Sequence, residues 1–270
     1  MKFRVLLFAF CIIALCSLLV ILPLQLLYIP DLPAEIPTER DLPTAITNAV
    51  NFLNGSHEPH TLLWLDVIHR RFGITAFADA LQRYDQIINE RPEQAPMLRV
   101  FRRIADYDNP LYVGDLQAVV VDLDLITVPA LYSDRLELPN DYPAMLDKAA
   151  NQGGYLLTHV LLAWIWIQEN GCEVSLPDGF IEDLYHDTVA IIDDDPVVDD
   201  LELEAAAFLY LAGQGTLVND SFIERVIAAQ NIDGSWGDKS HSWHTTILGL
   251  LLLLHVEFPV DSYPPTLAHP

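Results

Sequence analysis

"AAQNIDGSWGDKSHSWHTTILGLLLLLH", residues 228–255, is the stretch whose reading decides the fold. An amphipathic helix runs up to Gln230. The Asp233-Gly234 pair makes a tight turn, and a strongly apolar helix starts near His244. A helix that is apolar on every side has no wet face and is predicted to be buried. Its opening turn nevertheless carries His244, Thr245 and Thr246, with Trp243 and His241 just before them.

The same contrast repeats along the chain. "AFADALQRYDQIINERPE" (76–93) and "SFIERVIAAQN" (221–231) are amphipathic, whereas "THVLLAWIWIQENG" (158–171) and "TTILGLLLLLH" (245–255) are apolar nearly all round. "LQAVVVDLDLITV" (116–128) is the one segment with strand character. Its helical neighbours make it a further buried helix. The starts of five apolar segments fall at His60, Asp115, His159, Glu204 and His244, spaced 55, 44, 45 and 40 residues apart. Each interval is about one helical hairpin, the period of stacked helix pairs. Such arrays have open ends unless they are capped or closed. Apolar helices alternating with amphipathic ones predict closure: an all-α fold, an α/α toroid of five or six hairpins over residues 43–258, with the apolar helices inside.

Residues 5–28 carry no charge and are long enough to cross a bilayer as a helix. Lys2 and Arg4 precede them and Asp31, Glu35 and Glu39 follow. That asymmetry predicts an uncleaved anchor over 1–28, with the N-terminus cytoplasmic and the main domain periplasmic or extracellular. A cleaved signal peptide is the competing reading, but no small-x-small cleavage site follows the run. A proline-rich stalk over 29–42 and a C-terminal tail over 259–270 flank the domain. Cys172 is the one cysteine outside the anchor, so the domain has no internal disulfide. The chain of 270 residues is 51% hydrophobic, enough for a sizeable core, and its net charge of -24 excludes a phosphate backbone as partner. No glycine-rich phosphate loop, Gly-x-Ser-x-Gly elbow or Cys-x-x-Cys pair is present, which argues against nucleotide use, serine hydrolysis and dithiol chemistry.

"FIERVIAAQNIDGSWGD" (222–238) resembles the QW motif of terpenoid cyclases and protein prenyltransferases, with Gln230, Gly234 and Trp236 at its defining positions. The resemblance is sharp over these residues and extends more weakly, through the hairpin repeat, over 43–256. It implies the α/α toroid and leaves the chemistry open. "VVDLDLI" holds Asp122 and Asp124 but not the Asp-x-Asp-Asp acid of cyclases, and the thioester and paired-cysteine signatures of other toroids are missing. The motif's expected role is local, with Trp236 stacked on the preceding helix end and Gln230 satisfying backbone groups there.

In a toroid the inner helices open on one mouth, so His60, Asp115, His159, Glu204 and His244 are expected to converge. Three imidazoles and two carboxylates have the composition of a transition-metal site for zinc, copper or iron. Neighbouring inner helices lie roughly 8–10 Å apart, so one ion takes only part of the set. His159 and His244 are the first choice, completed by Glu204 or His60, with Glu204 or Asp115 as general base where it is not a ligand. Trp164, Trp236 and Trp243 are expected to line a pocket for an apolar or small substrate. His241 and His57 are weaker candidates, and His69 and His186 are read as a helix-end partner and a surface residue. The acidic run 193–204 reads as a solvated loop rather than a calcium site.

The expectation is a membrane-anchored metalloenzyme. A non-catalytic module binding a partner protein, a glycan or a lipid is the alternative, and a carboxylate-pair, glycosidase-like enzyme a third. At any single position, a His or an acid opening a helix is ordinary capping chemistry.

Overall fold

The computed structural model describes residues 41–193, 195–238 and 242–269. The expected anchor, most of the stalk and His241 lie outside these residues. The described residues form eleven α-helices and no strand. Among them, no helix is long and apolar enough to cross a membrane.

The helices follow one another in five groups, four of two helices and one of three. The first is α1 (Leu42–Leu53) with α2 (Pro59–Phe72), and the second is α3 (Ala80–Glu90) and α4 (Ala95–Phe101) leading to α5 (Asp122–Leu131). The third is α6 (Tyr142–Ala150) with α7 (Gly154–Glu169), and the fourth α8 (Phe180–Val189) with α9 (Asp200–Leu211). The last is α10 (Asp220–Ala229) with α11 (Ser242–Glu257).

Local chemistry sets many of the boundaries. Asp41 caps α1 by accepting from the Thr44 N–H, so Leu42, Pro43 and Thr44, read as the end of the stalk and the start of the domain, already belong to a helix. Asp199 and Glu202 form a capping box that opens α9, and Asn219 caps α10. Gly73, left-handed at φ 71°, ends α2 after His69, Arg70 and Arg71. The expected helix from Asp115 is displaced. Residues Asp115–Ala118 form a 3-10 turn, Val119 is extended, and α5 begins at Asp122. The three β-branched valines 119–121 favour that extended link.

α7 packs on α5 and α9, α9 on α11, and α11 on α2 and α1. Leu250 to Leu254 of α11 are all essentially inaccessible. Each such leucine contributes roughly 1.5–3 kcal/mol by burial, and α11 can be covered on every side only because α1 and α2 reach it from the other end of the chain.

The Gln230–Trp236 turn sits at that seam. Gln230 donates to the carbonyls of Ala45 (2.8 Å) and Gly234 (3.1 Å), and its own carbonyl faces the Asn48 amide at 3.4 Å. Its role is therefore not confined to its own helix end, because it ties the last pair to α1. Trp236 is buried, donates to the Val226 carbonyl at 2.7 Å, and packs against Gly249 of α11. Gly234 has φ 90°, and a Cβ there would come within 2.4 Å of the Asn48 carbonyl oxygen.

The C-terminal residues also belong to the core. Leu267 is fully buried, and the Glu169 carboxylate accepts from the Thr266 N–H (2.7 Å), the Thr266 hydroxyl (2.7 Å) and the Leu267 N–H (2.9 Å). Arg70 donates to the Thr266 carbonyl at 2.8 Å, Arg71 donates to Pro264, and the Ala268 N–H donates to Ile104 at 2.9 Å. This segment therefore lies across the C-terminal ends of α2 and α7. Beside it His255 is buried, donating from Nδ1 to Leu251 (2.7 Å) and accepting from Arg71 at Nε2 (3.1 Å). Burial first, then the Arg71 charge, pushes its pKa down to about 3 against an opposing hydrogen bond to Leu251.

Two outcomes are expected. Gly234→Ala lowers the unfolding free energy by about 2–4 kcal/mol through left-handed strain and the clash with Asn48, while Gly55→Ala, in open space, changes it by less than about 1 kcal/mol; urea denaturation of both variants measures this. His255 contributes to acid sensitivity because the unfolded chain takes up a proton that the folded one refuses below the ordinary value of 6.5. Between pH 7 and 5 this group alone removes roughly 2 kcal/mol of stability. His255→Gln, which keeps an acceptor for Arg71, is expected to lose that increment, and an unchanged pH dependence would refute the assignment.

Candidate functional site

α2, α5, α7, α9 and α11 each place side chains on one cavity of about 260 Å³. His60 comes from α2, Asp124 from α5, His159 from α7, Glu204 from α9, and Trp243 and His244 from α11. Four of the five expected mouth residues thus line a single space. The fifth, Asp115, does not: it lies in the 3-10 turn, held by Arg99 at 2.6 and 2.7 Å. Asp124 stands where Asp115 was expected, because α5 starts seven residues later than the apolar pattern indicates. It is the third residue of its helix, as His244 is of α11. Glu204 and His159 lie one turn further in than their helix starts.

Trp64, Phe101, Trp166 and Phe208 complete the aromatic wall together with Trp243. Two of the three expected pocket tryptophans are elsewhere. Trp164 turns outward and donates to the Tyr185 hydroxyl at 3.2 Å, and Trp236 is locked in the seam. On an apolar helix, periodicity does not say which tryptophan faces in. The floor joins the C-terminal segment, since Trp166 donates to the Thr266 hydroxyl at 3.1 Å and Ile104 accepts from Ala268. His69 meets the Ile74 carbonyl at its helix end and His186 is exposed, both as expected.

Glu204 is the centre of the polar cluster and is 1% exposed. The Thr158 hydroxyl donates to it, His159 Nδ1 lies 3.3 Å from Oε1, and His244 Nε2 lies 3.7 Å from Oε2. His159 Nδ1 also meets the Tyr155 carbonyl at 2.9 Å. His244 Nδ1 is 2.9 Å from Asp200, which further accepts from Thr245 (2.6 Å) and from the Tyr155 hydroxyl (2.9 Å). Asp200 lies within the acidic run, and its place four residues before Glu204, which puts both carboxylates on one helix face, is the one sequence signal that marks it.

The charges follow from these contacts. Burial opposes protonation of His244, but the Asp200 hydrogen bond and charge, with Glu204 behind, outweigh it and raise the pKa. Burial likewise pushes Asp200 up, and the bonds from His244, Thr245 and Tyr155 together hold it below the usual carboxylate value. Burial lowers the pKa of His60, with Asp124 working against it, and raises that of Asp124. The carboxylate fixes the tautomer of His244 with Nδ1 protonated, so Nε2 is the nitrogen left to accept or give a proton toward Glu204. Among the described residues, no three His, Cys, Asp or Glu side chains are grouped so as to hold a metal ion as they stand.

No family model, curated protein or solved structure matches this chain.

Histidine side-chain NMR tests this electrostatic account. His244 is expected to titrate above 6.5 and His60 below it, and Asp200→Asn is expected to lower the His244 value. A His244 midpoint unmoved by that substitution would show that the carboxylate does not control the imidazole.

Proposed function

We propose that this protein is a membrane-anchored, exported enzyme built on an α/α toroid, with its reaction centre in the cavity bounded by His60, Asp124, His159, Glu204 and His244. Its substrate is a small molecule with an apolar body. The toroid reading draws support from the five helix groups, from the packing of α11 on α2, and from the QW-like turn at the seam. The enzyme reading is carried by one alignment, Asp200–His244–Glu204, which opens on an apolar-walled cavity. A carboxylate orients an imidazole, and the free imidazole nitrogen faces a second, buried carboxylate. That is the equipment for moving a proton to or from a bound molecule. His244 takes or gives the proton, Glu204 steadies the charge that appears, and Asp200 positions the ring.

A metal-dependent reaction is the second reading, with one zinc, copper or iron ion held by His159, His244 and Glu204 or His60. What favours it is that both imidazoles have Nδ1 engaged, by the Tyr155 carbonyl and by Asp200, an arrangement common behind metal-bound histidines. Side chains would have to turn inward to bring three donors to roughly 2 Å of one point. The first reading needs no such movement and is preferred.

The two readings part in one experiment. Full-length protein, purified without a histidine tag or chelator, is assayed for bound metal and for turnover of small apolar-bodied esters, amides and amines. The acid–base reading expects negligible metal and turnover that falls about 10²–10⁴-fold in His244→Gln. Near-stoichiometric zinc, copper or iron, lost in His244→Ala, would replace it with the metal reading. Turnover indifferent to His244 would sink both.

A further inference from the structure

The charge balance of the cavity narrows the kind of molecule it can hold. Among the described residues, its lining includes two carboxylates, Asp124 and Glu204, and no lysine or arginine. Glu204 is almost wholly buried, and its neighbours are the Thr158 hydroxyl and the rings of His159 and His244. His244 is already committed to Asp200. Asp124 is only partly exposed and has neither a hydrogen bond nor an ion pair among the described residues. The groups that act on its charge are the imidazoles of His60 and His159, and burial lowers the pKa of His60, disfavouring its charged form. A carboxylate left without a partner beside an apolar space is costly unless something positive arrives.

The walls have the complementary character. Trp64, Phe101, Trp166, Phe208 and Trp243 present five aromatic rings to a space of about 260 Å³, the volume of roughly nine waters at ~30 Å³ each. Aromatic faces attract cations through the ring quadrupole, most strongly where water is excluded. Neutral apolar ligands would fill the walls but leave Asp124 unanswered, and anions would meet both carboxylates. A hydrated metal ion would answer the charge but gain nothing from the aromatic rings. An ammonium ion carrying a small apolar body satisfies both features.

We propose that the cavity binds a small organic ammonium ion, its apolar part among Trp64, Phe101, Trp166, Phe208 and Trp243 and its charge against Asp124 and Glu204. This inference rests on the reading that the cavity is the working site. It names the substrate class for that site.

The test is calorimetric titration of the full-length protein, in the presence of a chelator, with three probes of nearly one shape. These are choline, its neutral isostere 3,3-dimethylbutan-1-ol, and the anion 3,3-dimethylbutanoate, with benzyltrimethylammonium as a larger cation. Saturable binding of at least one cation, ten-fold or more tighter than the alcohol and with the anion weakest, is expected. Asp124→Asn should weaken the cation at least ten-fold and leave the alcohol unchanged. Because Asp124 bonds to nothing described, that variant is expected to fold, and an unchanged circular dichroism melt checks it. Equal affinity for cation and alcohol, selectivity that survives Asp124→Asn, or no saturable cation binding would each overturn the proposal. Cation selectivity with no loss of turnover in His244→Gln would keep the site and remove the acid–base enzyme. Turnover dependent on His244 without cation selectivity would do the reverse.

Discussion

A helix that is apolar on every side must be covered on every side, and the rest of this structure depends on how that is met for α11. Its neighbours are α9 before it in the chain and α1 and α2 from the far end. The contact between the last pair and the first is held by Gln230 on the Ala45 carbonyl and by Gly234 passing close beneath Asn48. Trp236 fills the space beneath, against Gly249. Without that closure the leucines 250–254 would face water, and α11 would not hold His244 opposite Glu204.

The cavity is a by-product of the same constraint. α5, α7, α9, α11 and α2 pack in succession and leave a space lined by His60, Asp124, His159, Glu204 and His244. One side is closed by residues 264–268, through Glu169, Arg70 and Trp166. A carboxylate accepting three hydrogen bonds and a buried leucine make this segment part of the floor. These contacts close the cavity on the side of Trp166 and Ile104. A low-dielectric space strengthens every charge interaction within it, which is why the Asp200–His244 pair and Asp124 matter more here than the same residues would on a surface.

The polar cluster and the aromatic wall answer different questions. Asp200, His244 and Glu204 concern what can happen to a bound molecule, and Trp64, Phe101, Trp166, Phe208 and Asp124 concern which molecule is held. The second set is more exacting, since its members come from five separate helices. Neither set is contiguous in the chain, so each exists only in the folded state.

What the chain determined by itself was the periodic part. Apolar-all-round segments at about 45-residue intervals, with amphipathic partners between them, determine an all-helical domain. They also bring His60, His159, Glu204 and His244 toward one space, because equivalent positions on equivalent buried helices must meet. Departures occurred where periodicity is silent. The buried helix expected from Asp115 begins seven residues later, at Asp122, because an apolar run does not mark where extended valines give way to helix. Trp164 faces away from the cavity because a helix without a polar face carries no sign of which side is inward, and Trp236 because its turn packs between the last and first helices. The pairing of Asp200 with His244 and the floor of residues 264–268 were decided by tertiary structure alone. A hydrogen bond between residues 44 or 97 positions apart leaves no periodic trace, and only the folding of separate helices onto one another brings such partners together.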